Sequence, residues 1–301
     1  MHVAMISADG GARPLAEALH QLGHQVSLYA DATDLPSDDP PDVVHAFAGL
    51  ADAVAYREKT GAPVVATPAA LAAGGVPAAD VDRIVAPTAV GVPALLQAGA
   101  VRTQIQVVPP GIDVDFFQPG PDGPGSRTPD RPARVLCVAG PGGAGLADAV
   151  GALRRVPGAQ LIVEGINPSA TPGRVHWLGD VPLERRPALF RSVDVFLGTA
   201  PAGMTPVEAM ACGTPVIAYA QGEVADQVAH GVTGTLVEPG DVASLAVALR
   251  DLLDFEPRRY AYGAAGVSRV RARHAWPLVA EQIEAVYQSV VSLTEPDSAS
   301  A

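Results

Sequence analysis

Residues 198–249 read GTAPAGMTPVEAMACGTPVIAYAQGEVADQVAHGVTGTLVEPGDVASLAVAL. The apolar run VDVFLG (193–198) leads into them with the length of a strand. TPVEAMAC (205–212) then reads as a helix, TPVIAYA (214–220) as a second strand, and the regions of VADQVAHG and SLAVALRDLLDF as further helices. Short apolar runs alternating with longer amphipathic segments mark a parallel sheet with crossover helices. Physically, Gly203 and Met204 stand at the head of the first helix, with Thr205 near its cap and Pro206 in its first turn. Free N–H groups and a positive dipole end at such a point suit a diphosphate. Glu208, one turn in, can accept two hydrogen bonds from a ribose diol, or can simply compensate the dipole.

The same rhythm extends in both directions. Upstream, HVAMIS, QVSLYA, DVVHAF, PVVAT, DRIVAP and QIQVVPPG read as strands. ARPLAEALHQLG, GLADAVAYREKTG and VGVPALLQAG supply helices between them. The stretch PGPDGPGSRTPDRP (119–132) has no apolar periodicity and reads as a linker. After it, RVLCVAG, AQLIVEG and VHWLGD are strands and LADAVGALRRV a helix. The sequence therefore predicts an α/β chain of two Rossmann-like domains, residues 1–118 and 133–293, with a ligand cleft between them. Two closing helices end the second domain, and residues 294–301 form a frayed tail.

Composition narrows the function. The 301 residues are 48% hydrophobic and 17% charged, which excludes a disordered chain. Twenty basic against thirty-two acidic residues give a net charge of -12, which argues against nucleic acid and against a polybasic membrane anchor. No apolar run reaches membrane-spanning length and the N-terminus lacks signal-peptide features, so a soluble cytoplasmic protein is expected. Cys137 and Cys212 lie far apart without metal spacing and are expected to be buried thiols. No metal site is expected.

Two more glycine turns fall at strand-to-helix junctions. Gly10 and Gly11 follow the first strand, in the run Ser7–Gly11. Gly140, Pro141, Gly142, Gly143, Ala144 and Gly145 fit G-x-G-x-x-G, and Glu164 ends the next strand where a ribose-binding acid would stand. An NAD-type oxidoreductase is thus a competing reading, set back by a proline inside the tight turn. Asp113 and Asp115 mimic a metal-binding DxD but read as turn formers. The basic run RVRARHAW reads as a solvated face or a stacking surface for Trp276.

Several of these stretches resemble the retaining GT-B glycosyltransferases of family four. EAMACGTPVIA (208–218) and HGVTGTLVEPGD (230–241) are close to that family's pattern, and PDVVHAF, VVPPGIDVDFFQP and HAWPLVAEQIEAVY are similar to its other conserved runs. The resemblance implies transfer of a sugar, with retention and without metal, from a nucleoside diphosphate sugar that serves as co-substrate; no further cofactor is implied. It implies a donor site of Gly142, Gly143, Gly203, Met204, Thr205 and Glu208, and an acceptor of unidentified chemistry on the N-terminal domain. The departures also matter. Ala200 stands where the family has a sugar-contacting Glu, Pro141 and Ala144 where it has a diphosphate-holding Arg and Lys, and Ala69 where it often has a His. His45 matches a family His that is not the usual catalytic one, and the N-terminal domain is short. With no catalytic residue assigned, an impaired homologue that binds nucleotide or needs a protein partner is the alternative.

Overall fold

The computed structural model describes residues 1–8, 10–125, 131–165, 173–201 and 203–294. Asp9, positions 126–130 of the expected linker and the tail from 295 lie outside the described residues. The chain divides into two units, one of Met1–Gly111 with the chain from Arg273 on, the other of Ile112–Ala272.

The first unit carries β1 (His2–Ile6), α1 (Arg13–Gln21), β2 (Gln25–Tyr29), β3 (Val43–Ala46), α2 (Leu50–Thr60), β4 (Val64–Ala66), α3 (Pro68–Gly74), β5 (Arg83–Ala86), α4 (Val92–Gln97) and β6 (Ile105–Val107). Its sheet runs β2-β1-β3-β4-β5-β6, every pair parallel. Central strands such as VVHA and VVA are buried at every position, as parallel strands covered on both faces must be. The second unit carries β7 (Ala133–Val138), α5 (Leu146–Arg154), β8 (Ala159–Glu164), β9 (Val175–Gly179), α6 (Arg186–Arg191) and β10 (Val195–Gly198). It continues with α7 (Thr205–Ala211), β11 (Val216–Tyr219), α8 (Val224–Gln227), β12 (Gly234–Val237), α9 (Val242–Asp254) and α10 (Glu256–Arg273). Its sheet order is β12-β11-β10-β7-β8-β9, also parallel throughout. Side-chain alternation sends Val135 and Cys137 to the layer of α5 and α9, and Leu136 to the layer of Phe190, Phe196 and Met210.

The expected domain limits need two corrections. The last helix, α11 (Trp276–Thr294), belongs to the first unit and not to residues 133–293. Its Val279, Ile283 and Tyr287 share a core with Val3, Met5, Leu15 and Leu19, because its apolar stripe matches the open face of the first sheet. The Trp276 ring lies against Gly111, where any side chain would collide with it. Nor is 119–132 the join between the units, since the chain crosses between them at 111/112 and at 272/273. The described part of that stretch is bound to the second unit: Gly125 N–H donates to Gly213 O at 2.8 Å and Arg259 Nε to Gly125 O at 3.0 Å. The Asp113 turn accordingly opens the second unit, and it is a turn as expected, with Oδ1 accepting from the N–H groups of Asp115 (3.0 Å) and Phe116 (2.8 Å).

Both cysteines are free and buried, and burial pushes the Cys137 thiol up to about 11 and that of Cys212 to about 12, which keeps both protonated and unreactive. The basic run is partly consumed within its own unit, Arg269 donating to the carbonyls of Gln227 and Asp226. No described helix is long and apolar enough to cross a membrane.

Candidate functional site

In the second sheet the order reverses between β7 and β10, which lie side by side although two strands and two helices separate them in sequence. Open α/β sheets bind ligands beyond the carboxyl ends of strands at such a switch point. Three exits meet there: the glycine turn after β7, Glu164 at the end of β8, and the loop from β10 into α7.

The glycine turn forms a single 3-10 turn over Pro141–Gly143, with Gly142, Gly143 and Gly145 all at positive φ. Gly143 N–H donates to Gly140 O at 2.9 Å, so of the two expected donors Gly143 is engaged within the turn. Gly140 lies against Ala200 and Ala144, since a Cβ built on it would fall 3.0 Å and 3.1 Å from theirs. Gly145 is tighter still. A Cβ there would fall 2.6 Å from the Thr199 carbonyl carbon and 2.7 Å from the Thr199 hydroxyl. The glycines and alanines of both loops therefore permit one turn to pack on the other. That supplies a physical reason for Ala200 and Ala144, where the resembling family has charged residues. Gly145→Ala should cost about 2–3 kcal/mol, combining a left-handed φ with a collision against backbone. Gly142→Ala, also at positive φ but with open space around it, should cost only about 1 kcal/mol. Equal melting temperatures for the two variants would refute this packing.

Helix α7 begins at Thr205, with Met204 at the cap and Pro206 in the first turn. Thr205 does not cap it. Its buried hydroxyl accepts from Arg186 Nη2 at 3.1 Å. Gly203 is exposed at φ +51, and its carbonyl accepts from Gln227 Nε2 at 3.0 Å. Ala202 lies outside the described residues.

Glu208 is not an isolated carboxylate. Arg186, first residue of α6, places Nη2 2.7 Å from Glu208 Oε2 and Nη1 3.2 Å from Glu164 Oε1. The guanidinium also lies over the Phe190 ring, 5.7 Å from its centroid. Burial raises the Glu164 carboxyl above its usual range, Arg186 opposes the shift, and Glu208 and Asp180 add to it. Burial raises Glu208 as well, again against the pull of Arg186. Glu164 is thus committed to an ion pair and does not stand open at its strand end. Sequence reasoning missed Arg186 because ERRPALFR was not read as an element. The proline one position after Arg186, with buried Phe190 three further on, is the signal that marks a short helix there.

The N-terminal residues belong to the first unit. Gly10 and Gly11 are exposed between β1 and α1, Gly10 at φ +72. Ala69 is exposed in the first turn of α3, which Thr67 caps through the Ala70 N–H. His45 is buried, its Nδ1 2.7 Å from Tyr287 Oη.

The two parallel α/β units match the architecture of solved GT-B glycosyltransferases. The sequence profile described as "Glycosyl transferases group 1" matches residues 131–269. A D-inositol 3-phosphate glycosyltransferase of Mycolicibacterium smegmatis is 30% identical over 88% of this chain and 70% of its own length. The chain belongs to the group 1 glycosyltransferase family. Sucrose-phosphate synthase from Thermosynechococcus elongatus shares the fold at a TM-score of 0.73 and 22% identity, over 98% of this chain and 100% of that one. Anabaena Alr3699/HepE, solved with UDP-glucose, matches at a TM-score of 0.72 and 18% identity, over 96% of this chain and 100% of that one.

Proposed function

We propose that this chain moves a sugar from a nucleoside diphosphate sugar to an acceptor, with retention and without a metal. The nucleotide is held by the second unit at the carboxyl ends of β7 and β10. The observation that carries the reading is Glu208, standing one turn into α7 beside the switch point, within EAMACGTPVIA. It accepts the ribose hydroxyls, while Gly142 N–H and the residues Gly203 and Met204 ahead of α7 lie where the diphosphate needs donors. Family membership and a structural neighbour that binds UDP-glucose support the reading. The D-inositol 3-phosphate named for the relative is the first acceptor to try.

A second reading has its own observation. Ala200 and Ala144 are packed against Gly140, so neither offers a charge to the sugar or the diphosphate. Neutral donors meet developing negative charge less well than cations. Slow turnover by the pure chain, or turnover only with a protein partner, is the expected consequence. Titration with UDP, GDP, ADP and NAD identifies the nucleotide, and a donor panel assayed for diphosphate release tests the transfer. NAD binding without nucleoside diphosphate binding would overturn both readings, and fast release by the pure chain would overturn the second.

Glu208→Ala should weaken nucleoside diphosphate binding by about 1.5–3 kcal/mol, the value of hydrogen bonds to a charged acceptor. Its melting temperature should change little, because Arg186 keeps Glu164 as a partner. Unchanged affinity for every nucleotide in the panel would sink the ribose role.

A further inference from the structure

We propose that Arg186, held by Glu164, is the positioning residue that aims the Glu208 carboxylate at the donor ribose. The inference rests on the reading that Glu208 takes that ribose.

The geometry builds outward from a single guanidinium. Arg186 is fastened from three sides: Nη1 by Glu164 Oε1 on β8, Nη2 by Thr205 Oγ1 on α7, and its face by the Phe190 ring. Its side chain is 18% exposed, so few other arrangements are open to it. Against this fixed cation Glu208 sets Oε2 2.7 Å from Nη2, an ion pair in which that oxygen completes no hydrogen bond among the described residues. A carboxylate held beside a fixed cation by charge keeps acceptor capacity for a hydroxyl, which is the state a ribose diol needs.

Glu164 makes sense only in this arrangement. Its side chain is 7% exposed, and its Oε2 has no hydrogen-bond partner among the described residues. A carboxylate that deep is costly unless it is paired. It is placed to anchor Arg186 from the far side, so that the guanidinium stays put when a ligand draws on Glu208. The three residues come from β8, α6 and α7, and the one arginine pairs with both carboxylates.

The test separates aim from folding by comparing two ligands on the full chain: UDP, and 2′,3′-dideoxy-UDP, which lacks the hydroxyls in question. GDP and its dideoxy form are run alongside. The wild type should prefer the ribose form. Arg186→Leu should lose about tenfold in affinity for UDP and change less than about twofold towards the dideoxy compound, which erases the preference. Arg186→Lys, which keeps the charge but cannot fork between two carboxylates, should recover part of it. Glu164→Leu with Arg186→Leu removes the more deeply buried of the two orphaned acids, so melting should recover in part while the preference stays lost. A wild-type preference surviving in that double variant, or in Arg186→Leu, would overturn the positioning role. A wild type that does not prefer the ribose form, with Glu208→Gln equally indifferent, would instead overturn the ribose reading and this inference with it.

Discussion

Acidification from pH 6.5 towards 3 should destabilise the unit of Met1–Gly111 and α11 by about 4–5 kcal/mol through His45 alone. His45 sits on β3 with 1% of its surface exposed, its Nδ1 on the Tyr287 hydroxyl and its Nε2 without a hydrogen-bond partner among the described residues. Phe47 lies against the ring, 4.3 Å between centroids. Nothing in that setting welcomes an imidazolium, and burial lowers the His45 pKa from 6.5 to about 3. Between those values the unfolded chain carries a proton that the folded one refuses, so stability falls as the pH falls through this window and is flat above it. Each pKa unit is worth about 1.4 kcal/mol, which over the interval gives the stated total. The two tryptophans fall one to each unit, so Trp276 fluorescence in a Trp177→Phe background follows the first unit. Urea unfolding at steps between pH 7.5 and 4, compared with a His45→Phe, Tyr287→Phe double variant, isolates the histidine. The double variant should show the shallower pH slope, and identical slopes would refute the argument.

The sequence placed most strands because parallel strands covered on both faces are continuous apolar runs, as in VVHA and VVA. It missed the edge strand β12, whose GTLV is only half buried and flanked by turn residues. It missed α3 and α6 because both are short and small or charged on their outer faces. Domain limits were less legible. Nothing in HAWPLVAEQIEAVY says which sheet its apolar stripe will cover, and that is settled only when Tyr287 meets His45, 242 residues away. The candidate site shows the same division. Glu208 could be found from its motif, since local spacing places it one turn into a helix. Its partner could not, because Arg186 reaches Glu208 through a fold that joins β8, α6 and α7. The glycine turn is the sharpest case: its pattern reads as a phosphate cradle, whereas the need for glycine at 145 comes from Thr199, more than fifty residues downstream.

Arg186→Leu should cost the second unit about 3–5 kcal/mol at pH 7.5, the range for removing one partner from a buried ion pair. The loss is not that of a surface contact. It leaves Glu164, 7% exposed, and Glu208, 15% exposed, with no cation paired to them among the described residues. Arg186 is what holds both carboxyls down against burial, so without it both pKa values must rise further. A carboxyl raised in the folded state contributes its stability below the unfolded value of 4.5, and that contribution fades as the pH climbs through the folded value. The deficit of the variant relative to wild type should therefore be smallest near pH 4.5 and grow towards neutrality. His45 acts with the opposite sign and in the other unit, so it cancels in this comparison. Hydrogen exchange at the amides of β7 and β10 reads the second unit directly. A deficit independent of pH would mean that Arg186 contributes packing on Phe190 and not charge, and a deficit below about 1 kcal/mol would mean that water reaches both carboxylates.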